Sequence, residues 1–414
     1  MKALVIGLGR VGAASAWDLV KDSELETVGI VGRRKENLEM VQKWINSNKL
    51  TAHVLDVSNT EDMKLLMKRY DVGIIALPDR KTSYTTVEAA IEAGLNIVDI
   101  LEEYHRRPDP YETEGLKIPN QMSLEEYGEW LHKRALEKDV ICLDGLGFAP
   151  GLSNITIGDA IRKMDKGESA IARVGGIPAK EASGRYPLKY MITWTFEHVL
   201  REYMIRAQVI KNGKVVEVPA LSDRERFSFT KLGKDEELEC AVTPGMPSFT
   251  YTRSKLNEFA EKTIRWPGHY EGIDTLKACG MLDLTPIEFE GVKIAPRDFL
   301  LSVISPKLRV LEGDTDVCVM WNTVTGTKNG QKMRIDYYMW EEADIKNGIS
   351  AVGKATGFPA AIGAKLIGRG EIEKKGIVAP EDAIEGKVYQ KFMEELGKKN
   401  ITILEVLETS QGQE

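Results

Sequence analysis

A glycine pattern close to the start of the chain restricts the folds that it can adopt. The apolar stretch 3–6 leads directly into Gly7-Leu8-Gly9-Arg10-Val11-Gly12, and an alanine-rich segment follows. The spacing G-x-G-x-x-G between a strand and a helix is typical of dinucleotide-binding domains, because the glycines permit a tight turn, a close pyrophosphate and a close helix. The helix N-terminus then offers free N–H groups to the phosphates. We therefore expect a dinucleotide to contact Gly7, Gly9, Arg10, Val11 and Gly12.

The end of the next predicted strand indicates which dinucleotide is bound. Residues 27–32 read as a buried strand, and enzymes that use NAD usually place an aspartate or glutamate just beyond it, at the ribose hydroxyls. This chain has Arg33 and Arg34 there. Guanidinium groups bind phosphate through paired, charge-assisted hydrogen bonds. We expect NADP in preference to NAD, the alternative being that these basic residues only open a solvated helix.

The segments that follow repeat the alternation of strand and helix. Strands are predicted at 51–57, 72–78 and 96–100, with a helix at 82–93. Such alternation indicates a parallel sheet, whose ligands bind beyond the carboxyl ends of the strands. Near the reactive end of the cofactor we therefore expect Ala76, Leu77, Pro78 and Asp99. Asp56 either contacts the adenine or caps a helix.

A second glycine-rich turn follows the strand predicted at 139–143. It starts at Asp144 and contains Gly145 and Phe148, which we expect at the cofactor and at the substrate, respectively. Asp144, like Asp99, could bind a substrate ammonium or move protons. Either aspartate could equally cap a helix or fix a loop.

The second half of the chain has a different pattern, in which strands dominate. They are predicted at 173–178, 207–218, 226–230, 238–243, 316–325 and 332–340. Asn212-Gly213 and Asn329-Gly330 mark hairpins, and a helix is predicted at 346–368. The predicted fold class is α/β: a Rossmann doubly wound parallel sheet plus an inserted α+β domain with a largely antiparallel sheet. We expect a dinucleotide-binding domain at 1–150, a substrate-binding and oligomerisation domain at 151–343, and C-terminal helices at 344–414 that return to the Rossmann domain.

The composition argues against several classes of protein. The 414 residues are 43% hydrophobic, as in soluble globular domains, and a net charge of −7 without a basic stripe argues against nucleic acid as a partner. Four scattered cysteines predict reduced thiols, with neither a disulfide nor a metal site. No apolar stretch approaches the ~20 residues of a membrane span, and the run before Gly7 is too short for a signal peptide. We expect a cytoplasmic protein without a membrane partner.

Six segments of the sequence resemble one family. They lie at 7–12, 144–154, 175–178, 263–269, 296–301 and 366–370. Together they are similar to the saccharopine dehydrogenase-like family and, within it, to lysine 6-dehydrogenases. The resemblance implies a Rossmann domain with an inserted substrate domain, a homo-oligomer, and oxidation of the lysine ε-carbon–amine bond to a semialdehyde. Lysine 6-dehydrogenases carry an acidic residue after the second strand, whereas this chain has Arg33 and Arg34.

Chemistry at a carbon–nitrogen bond needs groups that hold the substrate and manage protons. An amine gives up a hydride only when it is neutral, so the site needs a base or must disfavour the ammonium. In the resembled segment 263–269, His269 is the first candidate for this role, or else a structural histidine. Arg265 either clamps a substrate carboxylate or forms an ion pair within its domain. An aliphatic substrate could be lined by Tyr186, Thr193 and Trp194, although core packing is the alternative.

We therefore expect an NAD(P)-dependent oxidoreductase that acts on a CH–NH or CH–NH2 group of a small amino acid or amine. Two other functions fit the same residues. One is reductive condensation of an amine with a carbonyl compound, as in saccharopine or carboxynorspermidine formation. The other is a cofactor-binding protein without turnover, against which the three intact glycines and the full second domain argue.

Overall fold

A computed structural model describes residues 1–111 and 115–410 of the chain. Its first part alternates strands with helices. The strands are β1 (Lys2–Ile6), β2 (Thr27–Gly32), β3 (Leu50–Val54), β4 (Val72–Ile75), β5 (Asn96–Asp99) and β6 (Ile141–Asp144). The helices are α1 (Arg10–Leu19), α2 (Lys35–Ile45), α3 (Thr60–Met67), α4 (Arg80–Ala93) and α5 (Leu124–Glu137).

The middle of the chain is richer in strands. They are β7 (Lys166–Pro178), β8 (Arg206–Lys211), β9 (Lys214–Pro219), β10 (Glu225–Phe229), β11 (Glu236–Val242), β12 (Glu258–Arg265), β13 (Ile287–Phe289), β14 (Val292–Ile294), β15 (Asp316–Lys328) and β16 (Gln331–Glu342). Its helices are α6 (Leu152–Arg162), α7 (Lys180–Ser183), α8 (Phe196–Met204), α9 (Phe249–Thr252), α10 (His269–Ala278) and α11 (Pro296–Ile304). The last part contains α12 (Ala351–Gly368), β17 (Gly376–Val378), α13 (Pro380–Ala383), α14 (Gly386–Lys398) and β18 (Leu404–Ser410).

The first sheet has seven strands in the order β17-β6-β5-β4-β1-β2-β3. All of its neighbouring strands run parallel, as the alternation of strand and helix predicts. The strand order reverses between β1 and β4, and in sheets of this kind the crevice beyond that point holds the ligand. The turn after β1 contains the glycine pattern, so the fold places it at this crevice.

The second sheet has the order β10-β11-β12-β7-β15-β16-β18, with β8 paired to β12 and to β9. Its neighbours are antiparallel except for β7 and β12, which run parallel. Strands β13 and β14 form a separate exposed hairpin. The expected fold class, a Rossmann sheet plus a largely antiparallel second sheet, is confirmed.

Several expected boundaries differ from those in the structure. The strand predicted at 51–57 ends at Val54, and the helix predicted at 346–368 begins only at Ala351, after a turn. The sequence pattern did not reveal β12 or α8. The sequence at 409–414 predicts a frayed tail, but residues 409–410 belong to β18, which pairs with β16 in the second sheet. Residues 411–414 lie outside the described part of the chain. The domain limits at 150 and 343 stay a prediction.

Helix α12 connects the two sheets. It packs against α1, where the Ser15 hydroxyl donates to the Gly357 carbonyl oxygen at 3.0 Å. At its start, the buried Asp316 of β15 accepts hydrogen bonds from the Ala351 and Val352 amides, at 2.7 and 3.0 Å. A carboxylate at a helix N-terminus satisfies amides that have no partner within the helix. Asp316 therefore fixes the second sheet to the helix that covers the first.

The four cysteines are unpaired, as expected. Among residues 1–111 and 115–410, no helix has the length and apolar character needed to cross a membrane.

We predict that Asp316→Ala lowers the free energy of unfolding by about 2–4 kcal/mol, because it leaves two buried amides without acceptors. Urea unfolding followed by circular dichroism measures this change. Glu288→Ala on the exposed hairpin is the control and should change the free energy by less than about 0.5 kcal/mol. A loss below about 1 kcal/mol for Asp316→Ala would show that these bonds contribute little.

Candidate active site between the two sheets

The glycine pattern forms a cradle whose open side faces a cavity. Gly7 has φ +97°, and a Cβ atom there would lie 2.3 Å from the Ala76 carbonyl oxygen. A Cβ atom on Gly12 would lie 2.0 Å from the Gly7 carbonyl oxygen. A Cβ atom on Gly9 would meet nothing within 4 Å. Gly7 and Gly12 therefore have no room for a side chain, whereas the space beside Gly9 is open. This space lies at the uncapped start of α1 and fits a pyrophosphate.

A cavity of about 410 Å³ extends from this cradle to the second sheet. Many of the predicted residues line it together: Gly7, Gly9, Arg10, Val11, Gly12, Ala76, Leu77, Pro78, Phe148, Thr193, Trp194 and Arg265. The first eight follow β1 and β4 of the first sheet. Phe148 follows β6, and the others come from the second sheet and the segment before α8. The cavity therefore lies between a cofactor cradle and a second domain that can hold a substrate.

The basic pair lies beyond the end of β2, and both side chains are exposed. Arg34 is the residue before α2; its backbone is extended, and no side chain caps the amides of this helix. The Arg33 guanidinium lies 3.9 Å from the Asp56 carboxylate in an exposed pair of little strength. Two guanidinium groups beside an uncapped helix N-terminus fit a phosphate group, such as the 2′-phosphate of NADP.

Arg33→Asp should weaken NADPH binding by about 10–100-fold and leave NADH binding nearly unchanged, because it removes a charge-assisted phosphate contact worth about 1.5–3 kcal/mol. Quenching of protein fluorescence by the two reduced dinucleotides measures both dissociation constants. Arg69→Ala, at an exposed arginine of the same domain, is the control. Tighter wild-type binding of NADH than of NADPH would contradict the assignment.

A second cavity, of about 540 Å³, lies against the first. The linings of the two cavities have three residues in common, and all three are glutamates: Glu102, Glu202 and Glu261. Glu102 follows β5 by three residues, Glu202 lies on α8, and Glu261 lies on β12. Three distant parts of the chain thus bring carboxyl groups to the junction of the two cavities.

Burial changes the acidity of these carboxyl groups. Loss of solvation raises the pKa of Glu102 to about 7 and that of Glu261 to about 8, and it raises the pKa of Glu202 well above its ordinary value. Glu261 is held by the Thr243 hydroxyl at 2.6 Å and the Gly245 amide at 3.1 Å. Carboxyl groups with pKa values near neutrality can take up and return protons at physiological pH.

Arg265 is the positive group that the second sheet contributes to the first cavity, whose lining also contains Arg10 of α1. It shares one face of β12 with Glu261 and Thr263, since alternate residues of a strand face the same side. Its Nε donates to the Tyr203 hydroxyl at 3.0 Å, and its Nη1 donates to the Ile264 carbonyl at 2.9 Å. The guanidinium is therefore fixed where it can bind a substrate carboxylate.

His269 lies outside both linings and is fully buried. Its Nδ1 donates to the Leu188 carbonyl at 2.8 Å, so its Nε2, 3.0 Å from the Tyr203 hydroxyl, accepts from it. Burial, helped by the Arg265 charge, lowers its pKa to about 3. A neutral His269 orients Tyr203 and, through it, Arg265, which fits the alternative of a structural histidine. A catalytic role of His269 stays a prediction.

Asp99 and Asp144 are also buried outside both linings. Asp99 accepts hydrogen bonds from the Leu101 amide at 2.7 Å and the Ser83 hydroxyl at 2.8 Å. Asp144 binds both the amide and the Nδ1 of His105, at 2.8 and 2.7 Å. Although burial opposes it, Asp144 raises the pKa of His105 to about 9. These contacts match the alternative of loop-fixing aspartates, and the loop that they fix carries Glu102.

Three further predicted residues lie away from the cavities. Tyr186 is buried, and its hydroxyl donates to Asp314 at 2.6 Å, which matches the alternative of core packing. Gly145 donates its amide to the Asp99 carbonyl at 2.9 Å and fixes the turn after β6. Asp56 is exposed and accepts from the Ser58 amide at 2.9 Å, in the turn before α3.

Two family models match the chain. One, described as the saccharopine dehydrogenase NADP binding domain, matches residues 3–142, and the other, the saccharopine dehydrogenase C-terminal domain, matches residues 147–401. The chain belongs to the saccharopine dehydrogenase family. It is an NAD(P)-binding dehydrogenase, and the cradle at 7–12 is the part of its structure that fits the dinucleotide. The family resemblance is thereby confirmed, whereas the closer likeness to lysine 6-dehydrogenases stays a prediction.

Several named relatives match this family member along most of its length. A carboxyaminopropylagmatine dehydrogenase of Synechocystis sp. is 22% identical and covers 92% of each chain. The NADP-dependent, L-glutamate-forming saccharopine dehydrogenase of Schizosaccharomyces pombe is also 22% identical, covering 92% of this chain and 95% of its own. The apo structure of the L-glutamate-forming saccharopine dehydrogenase from Saccharomyces cerevisiae superposes with a TM-score of 0.76 at 19% identity, over 98% and 99% of the two chains. This likeness establishes the fold.

The three glutamates of this saccharopine dehydrogenase family member were not predicted from the sequence, nor was His198, which lines the second cavity. Signals for them exist in the sequence. His198 and Glu202 are four residues apart and share one face of α8. Glu261 and Arg265 belong to the alternating polar face of β12, and Glu102 follows a strand of the parallel sheet closely.

The raised pKa of Glu261 makes stability depend on pH. Its folded pKa of about 8 lies above its ordinary value of 4.5, so the native state holds an extra proton between these values. The contribution of Glu261 to the free energy of unfolding is therefore fully present below about pH 4.5. It declines as the pH rises and is lost as the pH passes through about 8. Urea unfolding at pH 5.5 and pH 8.5 should show that Glu261→Gln removes about 1–3 kcal/mol of this decline. An identical decline in wild type and Glu261→Gln would show that Glu261 titrates normally.

Proposed function

We propose that the chain is an NADP-dependent oxidoreductase that acts on the carbon–nitrogen bond of a secondary amine, in which the nitrogen joins two aliphatic arms. The observation that carries this proposal is the junction of two cavities at Glu102, Glu202 and Glu261. A substrate with an arm on each side of its nitrogen would occupy both cavities and place the nitrogen at the carboxyl groups. A primary amine would need the first cavity alone.

The lining of the first cavity supports each requirement of this chemistry. The bound dinucleotide would accept or supply the hydride, and the residues after β1 and β4 would hold it. Phe148 and Trp194 provide apolar surface that keeps water from the reacting carbon. Arg265 is oriented to bind a carboxylate, as an amino-acid arm requires. The glutamates can hold the proton that an ammonium must lose before it gives up a hydride.

The names of the relatives support the same choice. Two proteins that match along nearly their whole length are named for carboxyaminopropylagmatine and for saccharopine. The reductive condensation that forms such secondary amines was one of our alternatives from the sequence. The lysine 6-dehydrogenase-like deamination that we expected first remains the second candidate, because Arg265 and the glutamates also suit an amino acid with a terminal amine. The charged groups that line the cavities argue against a protein without turnover.

A cytoplasmic location and a homo-oligomer remain predictions from the sequence and from the family resemblance.

A panel of amines tests the proposed function. Saccharopine, carboxyaminopropylagmatine and lysine are each incubated with NADP+, and the matching amine and carbonyl pairs are incubated with NADPH. We expect kcat/KM for one secondary amine to exceed that for lysine by at least about 100-fold, or roughly 2.7 kcal/mol of transition-state binding. Arg265→Met should lose at least about 10-fold on substrates with a carboxylate. Turnover of lysine alone would favour the second candidate.

A further inference from the structure

Three polar atoms converge at the boundary of the second cavity, and none of them receives a hydrogen bond from an amide or a hydroxyl group among the described residues. They are Glu102 Oε2, Glu202 Oε1 and His198 Nε2. His198 Nε2 lies 3.4 Å from Glu202 Oε1 and 3.5 Å from Glu102 Oε2. The side chains of His198 and Glu202 are each only 5% exposed. The Glu102 and Glu202 carboxyl groups hydrogen-bond to each other, which requires that they keep a proton between them. A cationic ligand with N–H donors can take the place of this proton and bind both carboxylates through charge-assisted hydrogen bonds.

The geometry of these atoms fits one protonated nitrogen. All three lie within 4.8 Å of one another. A secondary ammonium has two N–H donors, which can reach one oxygen of each glutamate at a hydrogen-bond distance of about 2.8–3.0 Å. A carboxylate only accepts hydrogen bonds, and an alkylammonium only donates them. The charge also matches, because the cluster contributes two carboxyl groups and a third, Glu261, lines the same junction.

The charged groups around the cluster include both signs. The charges of Glu261, Arg265 and Arg201 affect the pKa of Glu102. Those of Glu202, Arg201, Glu103 and Arg80 affect the pKa of His198. Arg201 forms an ion pair with Asp109, and Arg80 forms one with Glu103, so both of these arginines are engaged with carboxylates. Arg265 faces the first cavity. The atoms left to bind an added cation are therefore the carboxyl oxygens of Glu102 and Glu202, which lie beside His198 Nε2.

We infer that Glu102, Glu202 and His198 form a binding site for the protonated nitrogen of an aliphatic amine, and that a glutamate of this site takes the proton before the carbon is oxidised. The role in turnover rests on the proposed function; the binding does not. The N–H bond breaks and its proton passes to a carboxylate, which leaves a neutral amine. A hydride then leaves the adjacent carbon for the dinucleotide, and a carbon–nitrogen double bond forms. Water adds to that carbon, and the bond to nitrogen breaks to give a carbonyl compound and the released amine.

Titration calorimetry with n-pentylamine tests the site without turnover. Metal-free protein saturated with NADPH is titrated at pH 7.5 in two buffers of different protonation enthalpy. n-Pentyltrimethylammonium, which has the same charge but no N–H donor, is the matched probe. We expect pentylammonium to bind at least about 10-fold more tightly than the quaternary probe, because each charge-assisted hydrogen bond contributes about 1.5–3 kcal/mol. Binding should also release close to one proton, since a carboxyl group gives up its own proton when the cation arrives.

Glu202→Gln and Glu102→Gln should each weaken pentylammonium binding by at least about 10-fold and abolish the linked proton release. Two variants are used so that the result survives if one of them fails to fold, which thermal unfolding reports. Glu288→Gln on the exposed hairpin is the control and should bind as wild type does.

Equal affinity for the two probes, or unchanged binding in both glutamine variants, would overturn the inference. Tight binding of Zn²⁺ in a parallel titration, lost in both variants and competitive with the amine, would assign the same donors to a divalent cation and also overturn it. Because the probe is not a substrate in this assay, a failed amine panel and a failed titration are distinguishable results.

Discussion

The central constraint on this structure is the burial of three carboxyl groups beside one another. Ionised carboxylates repel one another and lose their hydration in such a place, so the site must retain protons or bind a cation. Glu261 accepts hydrogen bonds from a hydroxyl and an amide, whereas Glu102 and Glu202 hydrogen-bond to each other and so must keep a proton between them. This unfavourable burial of carboxyl groups occurs where the first cavity, which extends from the glycine cradle, meets the second cavity. Strain of this kind is typical of functional sites.

Each of the two sheets contributes residues to the junction of the two cavities. The first sheet supplies the glycine cradle and the loop that carries Glu102, and Asp99, Asp144 and His105 fix this loop from behind. The second sheet supplies Glu261 and Arg265 on one face of a single strand. Arg265 is in turn oriented by Tyr203. Buried residues that do not touch either cavity therefore determine where the polar groups point.

The sequence was most informative where a site is formed by neighbouring residues. The cradle at 7–12 and the basic pair could be identified because their residues are adjacent and their spacing has a mechanical reason. Phe148 and Arg265 lie in segments of the family resemblance, whereas Thr193 and Trp194 were predicted as part of an aromatic wall. All four line the first cavity. His269 and Asp144 were expected at the substrate because of their residue type and place, but the side chains turn toward internal partners. The glutamate junction was missed because its members meet only after α8 and β12 have packed against the loop after β5.

The most direct test of this account is a crystal structure of the protein with NADP+ and the best secondary amine of the panel. We predict that the substrate occupies both cavities, with its nitrogen within about 3.5 Å of a carboxyl oxygen of Glu102 or Glu202. Its carboxylate should contact Arg265. A substrate confined to the first cavity, with its nitrogen away from all three glutamates, would contradict the central claim.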